Sequence, residues 1–154
     1  MIITSPNSFE DALGKSIFLA GGITNCPDWQ GPVANRINEL TNLVIFNPRR
    51  NGWDMNADLE ESRKQILWED MHLKLSDIIL FWFPEETLCP ITLLELGKYL
   101  MSDARLIVGT HPNYQRRFDV EVQTSLVRDI PVWDDLDAMV DDMIGAYRIG
   151  ALSW

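Results

Sequence analysis

The sequence is poor in the features that announce a cofactor, a disulfide scaffold or a membrane anchor. Only two cysteines and two histidines occur in 154 residues. Two cysteines make no disulfide framework, which points to a reducing, cytoplasmic setting. Cys26, His72, Cys89 and His111 are scattered rather than closely spaced, so no metal site is expected. No apolar run approaches the ~18 residues that cross a bilayer, so no membrane span is expected. The N-terminus lacks a basic stretch followed by an apolar one, so no secretory signal is expected either. Neither G-x-G-x-x-G nor G-x-x-x-x-G-K-[ST] is present, which weakens dinucleotide and P-loop readings. Basic residues are outnumbered, 13 Lys and Arg against 23 Asp and Glu, and the net charge is −10. That balance argues against a nucleic-acid polymer or an anionic membrane as partner.

What is present is an alternation. Apolar runs of strand length are Ser16–Ala20, Leu43–Phe46, Ile78–Phe83, Arg105–Gly109 and Ile130–Trp133. Between and after them lie segments of helical period. Val33, Ile37 and Leu40 mark one. Leu59, Ile66, Leu67 and Met71 form a stripe in a second, residues 57–76, for which Asn56 is a candidate N-cap. Leu93, Leu96, Gly97, Leu100 and Met101 line a third, with Gly97 expected to allow close packing on the sheet. Phe118, Val122 and Leu126 mark a fourth, and Leu136 to Tyr147 carry the clearest stripe of all. Met1 to Lys15 read as a polar lead-in. The expected fold class is α/β: a five-stranded parallel sheet with helices on both faces and right-handed crossovers. At this length one domain, residues 1–154, is expected.

The chain is organised around Asp77 to Gly97. Ile78–Phe83 is apolar throughout, as a strand buried on both faces must be, and Pro84 stops it. A polar loop and a helix follow, which places Glu95 near the carboxyl end of the strand, where open α/β sheets bind small ligands. Thr92 and Glu95 also fit a capping box, in which Glu95 reaches back to the Thr92 amide. Asp77, at the head of the strand, is either a turn residue or a second functional carboxylate, and Asp28 is a third acid in the first loop. Gly21-Gly22, after the first strand, either makes a tight turn or lets backbone approach a ligand.

The runs SIFLAGGI from Ser16, DWQ from Asp28, NPRR from Asn47, QILWED from Gln65, LSDIILFWFP from Leu75 and PITLLELG from Pro90 together resemble the nucleoside 2-deoxyribosyltransferase family, in its short, phage-type branch. The resemblance covers about Ser16 to Val132. It implies a flavodoxin-like (Rossmann-like) sheet and exchange of nucleobases on 2-deoxyribose. It implies Glu95 as nucleophile and Asp77 as the residue that holds or protonates the base, with Asn47 among the substrate-binding positions. Phe18 stands where the family often has a tyrosine beside the nucleophile. Cys89 stands where better-known members carry a second acid.

A glycosidic carbon reacts through an oxocarbenium-like state, which a carboxylate stabilises and can trap as a glycosyl ester. An acid protonates the departing base. Trp29, Trp53 and Trp82 are candidates to exclude water and stack on a base, although Trp82 sits inside the buried strand. A strand of six residues spans ~20 Å, which would set Asp77 far from Glu95 and makes Glu86, in the loop after the strand, the alternative second acid. The expected partners are a deoxynucleoside and a free base, with no metal or organic cofactor. Hydrolysis of a deoxynucleoside or its 5′-phosphate, with Arg49 and Arg50 as phosphate donors, and binding without turnover are the competing readings. The apolar tail Ile149 to Trp154 is expected to lie on a second copy in a homo-oligomer, or else to fold back on its own sheet.

Overall fold

The computed structural model of the protein describes residues 1–7, 14–50 and 58–152. Its sheet is parallel throughout and has six strands, not five. The additional strand is β1 (Ile2–Thr4), which pairs with β3 (Val44–Asn47) through Ile2 opposite Ile45. The apolar pair Ile2-Ile3, placed in a surface lead-in by its polar neighbours, thus becomes the edge of the sheet. The remaining strands are β2 (Ser16–Gly21), β4 (Ile78–Phe83), β5 (Arg105–Thr110) and the short β6 (Val132–Trp133). The order across the sheet is β1-β3-β2-β4-β5-β6. Leaving out β1, this is the order of a doubly wound flavodoxin-like sheet, with its reversal of winding at β2 and β4.

Every residue of β4 is buried. Because side chains alternate across a strand, one set serves each face. Ile79, Phe81 and Phe83 meet the core under α2 (Leu59–Leu75), α3 (Pro90–Leu100) and α4 (Arg117–Val127). Ile78, Leu80 and Trp82 meet the core under α1 (Gln30–Leu40) and α5 (Leu136–Arg148). On the second face the helical stripe of α5 is where the sequence puts it: Met139, Val140, Met143 and Ile144 are buried.

On the first face the apolar stripes point the wrong way. Leu59, Ile66, Leu67 and Met71 of α2 are exposed, and the helix packs instead through Trp68, His72 and Leu73. His72 is fully buried, its Nδ1 bonded to the Trp68 carbonyl at 2.7 Å and its ring stacked on the Trp68 indole. Burial lowers its pKa, against the pull of that carbonyl, and favours the neutral ring. In α4, Phe118 and Leu126 are exposed and Val120 and Thr124 are buried. In α3, Leu96 and Leu100 reach the core, but Gly97 and Met101 face outward, so Gly97 does not pack on the sheet. The helix stop and start signals also differ in detail. The cap of α2 is Asp58, whose side chain accepts from the Glu61 amide at 2.9 Å; Asn56 lies outside the described residues.

The described part of the tail turns back on its own chain. The amides of Ala151 and Leu152 donate to the Ala146 carbonyl, and Leu152 packs against the core beneath α1 and α5. Of the two expected placements of the tail, Leu152 takes the second, folding back onto its own chain, while Ile149 remains exposed. Trp154 lies outside the described residues.

Candidate active site

The carboxyl ends of β2 and β4 open into a cavity of about 480 Å³. That volume falls within the range of small-molecule sites. Its walls come from Gly21 at the end of β2 and the loop after it (Gly22 to Thr24), from Pro48 and Arg50 after β3, from Gln65 and Glu69 on α2, and from Thr87, Cys89 to Thr92 and Glu95 around the start of α3. Phe18 and Ala20 of β2 form an apolar floor.

Glu95 reaches this cavity because of how α3 begins. Cys89, not Thr92, precedes the first helical residue, and it takes the left-handed conformation (φ 48°, ψ 52°) so that Pro90 can open the helix. Thr92 is then inside the first turn, no capping box forms, and Glu95 is left free of a structural duty. Among the described residues no group donates a hydrogen bond to its carboxyl. Burial first, and then the neighbouring Glu69 carboxylate, push the Glu95 carboxyl up to about 8, against the pull of Lys98.

Glu69 was not singled out from the sequence, although it lies in the QILWED run. Taking Ile66, Leu67 and Met71 as the core side of α2 turns Glu69 away from the sheet. The true core side, Trp68 and His72, swings it into the cavity. Gln65, one turn earlier, fixes it. The Gln65 amide nitrogen donates to Glu69 at 2.8 Å and to the Pro48 carbonyl at 3.0 Å, while its oxygen accepts from the Ser5 hydroxyl at 2.6 Å. Burial raises the Glu69 carboxyl too, opposed by the bond from Gln65.

The structure separates Asp77 from this cavity. Asp77 heads β4 at the opposite edge of the sheet. It accepts from Lys15 at 2.8 Å, from the Ser16 amide at 2.9 Å and from the Ser16 hydroxyl at 3.1 Å. Burial alone would raise its pKa, but the bonds from Lys15 and Ser16 outweigh it and hold the carboxyl below its usual value. Asp77 thus ties the start of β2 to the start of β4. We expect Asp77→Asn to cost about 1–2 kcal/mol of stability at neutral pH. A depressed pKa contributes stability that is present above the unfolded value and lost as pH falls through the folded one, so the penalty should vanish in acid. Denaturant titrations at two pH values test this, and an unchanged midpoint at pH 7 would contradict it.

The other expected residues divide. Phe18, Gly21, Gly22 and Cys89 line the cavity. Burial pushes the Cys89 thiol up to about 12, so the position where the resemblance implies a second acid holds an uncharged group. Glu86 is exposed on the loop after β4 and is not part of the cavity wall. Asp28 accepts from the Gly31 amide at 2.9 Å and pairs with Arg49 at 3.2 Å, outside the wall. Asn47 is buried at the end of β3, where its side-chain oxygen accepts from the Arg49 amide. Trp82 is buried in the core beneath α1 and α5, and Trp53 lies outside the described residues. Trp29 is buried as well and supports the site from behind. A Cβ on Gly21 would collide with its ring and with the Trp82 carbonyl. A Cβ on Gly22 would sit 2.9 Å from the Cys89 sulfur and 2.8 Å from Thr87. The two glycines thus let β2 close onto the chain's own side chains. The Gly22 carbonyl collects four donors: Trp29 Nε1 at 3.1 Å, Gln30 Nε2 at 3.2 Å, Cys26 Sγ at 3.0 Å and Arg49 Nη2 at 3.4 Å.

The site is therefore a half-enclosed cavity with an apolar floor, two carboxyl groups of raised pKa on facing helices, and one guanidinium, Arg50, on the wall. The family model described as nucleoside 2-deoxyribosyltransferase like matches residues 14–114, a span that includes β2 to β5 and every residue of the cavity wall. No curated protein matches the chain.

Proposed function

Since the chain belongs to the nucleoside 2-deoxyribosyltransferase-like family, we propose that it exchanges nucleobases on 2-deoxyribose through a glycosyl ester on Glu95. The observation that carries this reading is the pairing of Glu95 with Glu69 in one cavity. In the first step a Glu95 oxygen bonds to C1′ as the C1′–N bond breaks. The bonding pair leaves with the base, which takes a proton from Glu69. In the second step a nitrogen of the incoming base bonds to C1′, the C1′–O bond breaks, and the pair returns to the Glu95 carboxylate. The incoming base gives its proton to Glu69. Two inversions give net retention.

Phe18 provides no hydroxyl at the floor, so among the described residues the Glu95 carboxylate has no neutral donor to hold it. Its charge is then stabilised chiefly by the sugar cation it meets, an interaction made in the transition state and absent from the empty site. The apolar floor and the half-enclosed shape disfavour water as the acceptor.

Arg50 favours a second reading of the same site. A guanidinium on the wall of a cavity in so acidic a chain suits a 5′-phosphate, and the reaction would then be exchange or hydrolysis on a deoxynucleotide. One experiment separates these. The protein is incubated with deoxynucleosides or their 5′-monophosphates, with and without a second free base, and the products are resolved. A new nucleoside supports exchange; free sugar in its place means hydrolysis. Binding of both substrates without any product would remove the catalytic reading.

A further inference from the structure

The edge strand β1 ends where the cavity begins. It runs parallel to β3, with Thr4 opposite Asn47, so both strands finish at the edge of the sheet that carries the cavity. Ser5 follows at once. Its amide donates to the Asn47 carbonyl at 3.2 Å, and Trp68 Nε1 of α2 donates to the Asn7 carbonyl at 2.7 Å. The chain from Ser5 to Asn7 is thus stitched to β3 and to α2. Ser5 is buried, and its hydroxyl donates to the Gln65 side-chain oxygen at 2.6 Å. It precedes residues 14–114 and stands behind the cavity wall rather than in it, so nothing so far gives it a part in the chemistry.

A carboxamide has an accepting oxygen and a donating nitrogen, and turning it over exchanges them. Around Gln65 the neighbours make the choice. The Pro48 carbonyl can only accept, so it requires the nitrogen. On the other side the Ser5 hydroxyl donates to the oxygen. With the amide held so, its nitrogen also meets Glu69 Oε1 at 2.8 Å. Turned over, the amide would offer Glu69 an oxygen and bind the proton that the departing base needs.

We propose that Ser5 is a positioning residue for the Glu69 acid, acting through Gln65. Its hydroxyl locks the Gln65 amide, the amide occupies Glu69 Oε1, and the proton for the departing base is confined to Oε2. After transfer the carboxylate keeps its N–H donor, so the same lock serves the return of the proton. A carboxyl free to turn has two oxygens to protonate and no fixed direction, and a misplacement of about 1 Å can cost ~10²-fold in rate. The titratable and charged groups that share the cavity with Glu69 are Glu95 on α3, Cys89 before it and Arg50 after β3; on its own helix His72 is buried in the core. The chemical role of Ser5 rests on the exchange reading of the cavity, whereas the lock is a property of the free protein.

Ser5→Ala, Gln65→Leu and the two combined, each checked for folding by circular dichroism, test the proposal. The free protein is read first, by carbon NMR titration of the glutamate carboxyls, with Glu69 assigned from the signal that Glu69→Gln loses. The bond from Gln65 favours the ionised carboxyl, so Glu69 should titrate at higher pH in Gln65→Leu and, by less, in Ser5→Ala. Turnover is read second, as kcat/KM for base exchange on a deoxynucleoside. Gln65→Leu should lower it about 10²-fold and Ser5→Ala about tenfold, the scale of one hydrogen bond. Adding Ser5→Ala to Gln65→Leu should lower it no further, because Ser5 acts through Gln65. With an N7-methylated purine deoxynucleoside, whose base leaves without a proton, the losses should largely disappear. A Ser5 that merely supports the fold would cost the same in either background and with either substrate. That result, or an unmoved Glu69 titration in both single variants, would overturn the proposal. If the parent itself forms no product, the exchange reading falls, and the titration alone decides whether Ser5 and Gln65 hold Glu69.

Discussion

Glu95→Gln should reduce the proposed base exchange on the order of 10⁴-fold or more, because on that reading it removes the atom that bonds to C1′. The folded state should gain rather than lose. The Glu95 carboxyl is raised from 4.5 to about 8 on folding. Between those values the native chain holds a proton that the unfolded chain has released, so stability falls as pH rises through this window and the loss is complete above it. An amide has no such loss. The variant should therefore melt above the parent near pH 8.5 and show no comparable advantage near pH 4. A folded Glu95→Gln protein with near-parent turnover would remove Glu95 from the chemistry, whatever its melting behaviour.

Glu69→Gln should lower turnover by about 10²–10⁴-fold, the usual worth of a positioned acid. Two measurements separate its role from that of Glu95. The first is the pH dependence of kcat/KM, which reports groups in the free enzyme. The reaction needs Glu95 without a proton and Glu69 with one, so the parent's rate should fall above about pH 8, where the pair loses its last proton; in Glu69→Gln the residual rate should instead rise with pH to a plateau as Glu95 ionises. If the roles are reversed and Glu95 is the proton donor, the residual rate of Glu69→Gln falls as pH rises. The second is a substrate whose base leaves without protonation, such as an N7-methylated purine deoxynucleoside. It should largely rescue Glu69→Gln and leave Glu95→Gln inactive. Rescue of the wrong variant would exchange the assignments.

Much of the sheet was legible because its strands are short, apolar and bounded by glycine, proline or asparagine. Ile78–Phe83 is an example in which every side chain is buried and no alternation is needed to find the strand. Glu95 was legible for a related reason: a helix that follows such a strand must begin at the sheet's carboxyl edge. Three features misled. Asp77 looked catalytic because it flanks the central strand, but a parallel strand has two ends, and its chemistry there is to bond Ser16 and Lys15. Thr92 looked like a cap because capping boxes are written in residue types, whereas the helix start was set by the left-handed Cys89 before Pro90. Glu69 was hidden by the stripe on α2. Helical period reveals that a helix has an apolar side without saying which surface that side meets. On α2 the longer stripe, Ile66, Leu67 and Met71, faces away from the sheet, and the core is met by Trp68, His72 and Leu73, of which one is a polar histidine.

The bonding around the Gly22 carbonyl bears on timing. Four donors from the β2–α1 loop, the start of α1 and the segment after β3 share one oxygen. Turning that peptide means releasing all four together, so this bank of the cavity cannot breathe piecemeal. Traffic of substrate and product then belongs to the other bank, Thr87 to Ile91, where Leu88 and Ile91 are exposed and the Cys89 thiol donates a long bond, 3.4 Å, to the Thr87 carbonyl. In amide exchange the bank around Gly22 should open rarely and as a unit, on a scale set by global unfolding, while Thr87 to Ile91 exchanges by frequent local opening. Slower exchange at Thr87 to Ile91 than around Gly22 would reverse this order. If the order holds, access to the cavity is set by the five residues that lead into α3, the same segment whose backbone brings Glu95 to the cavity wall.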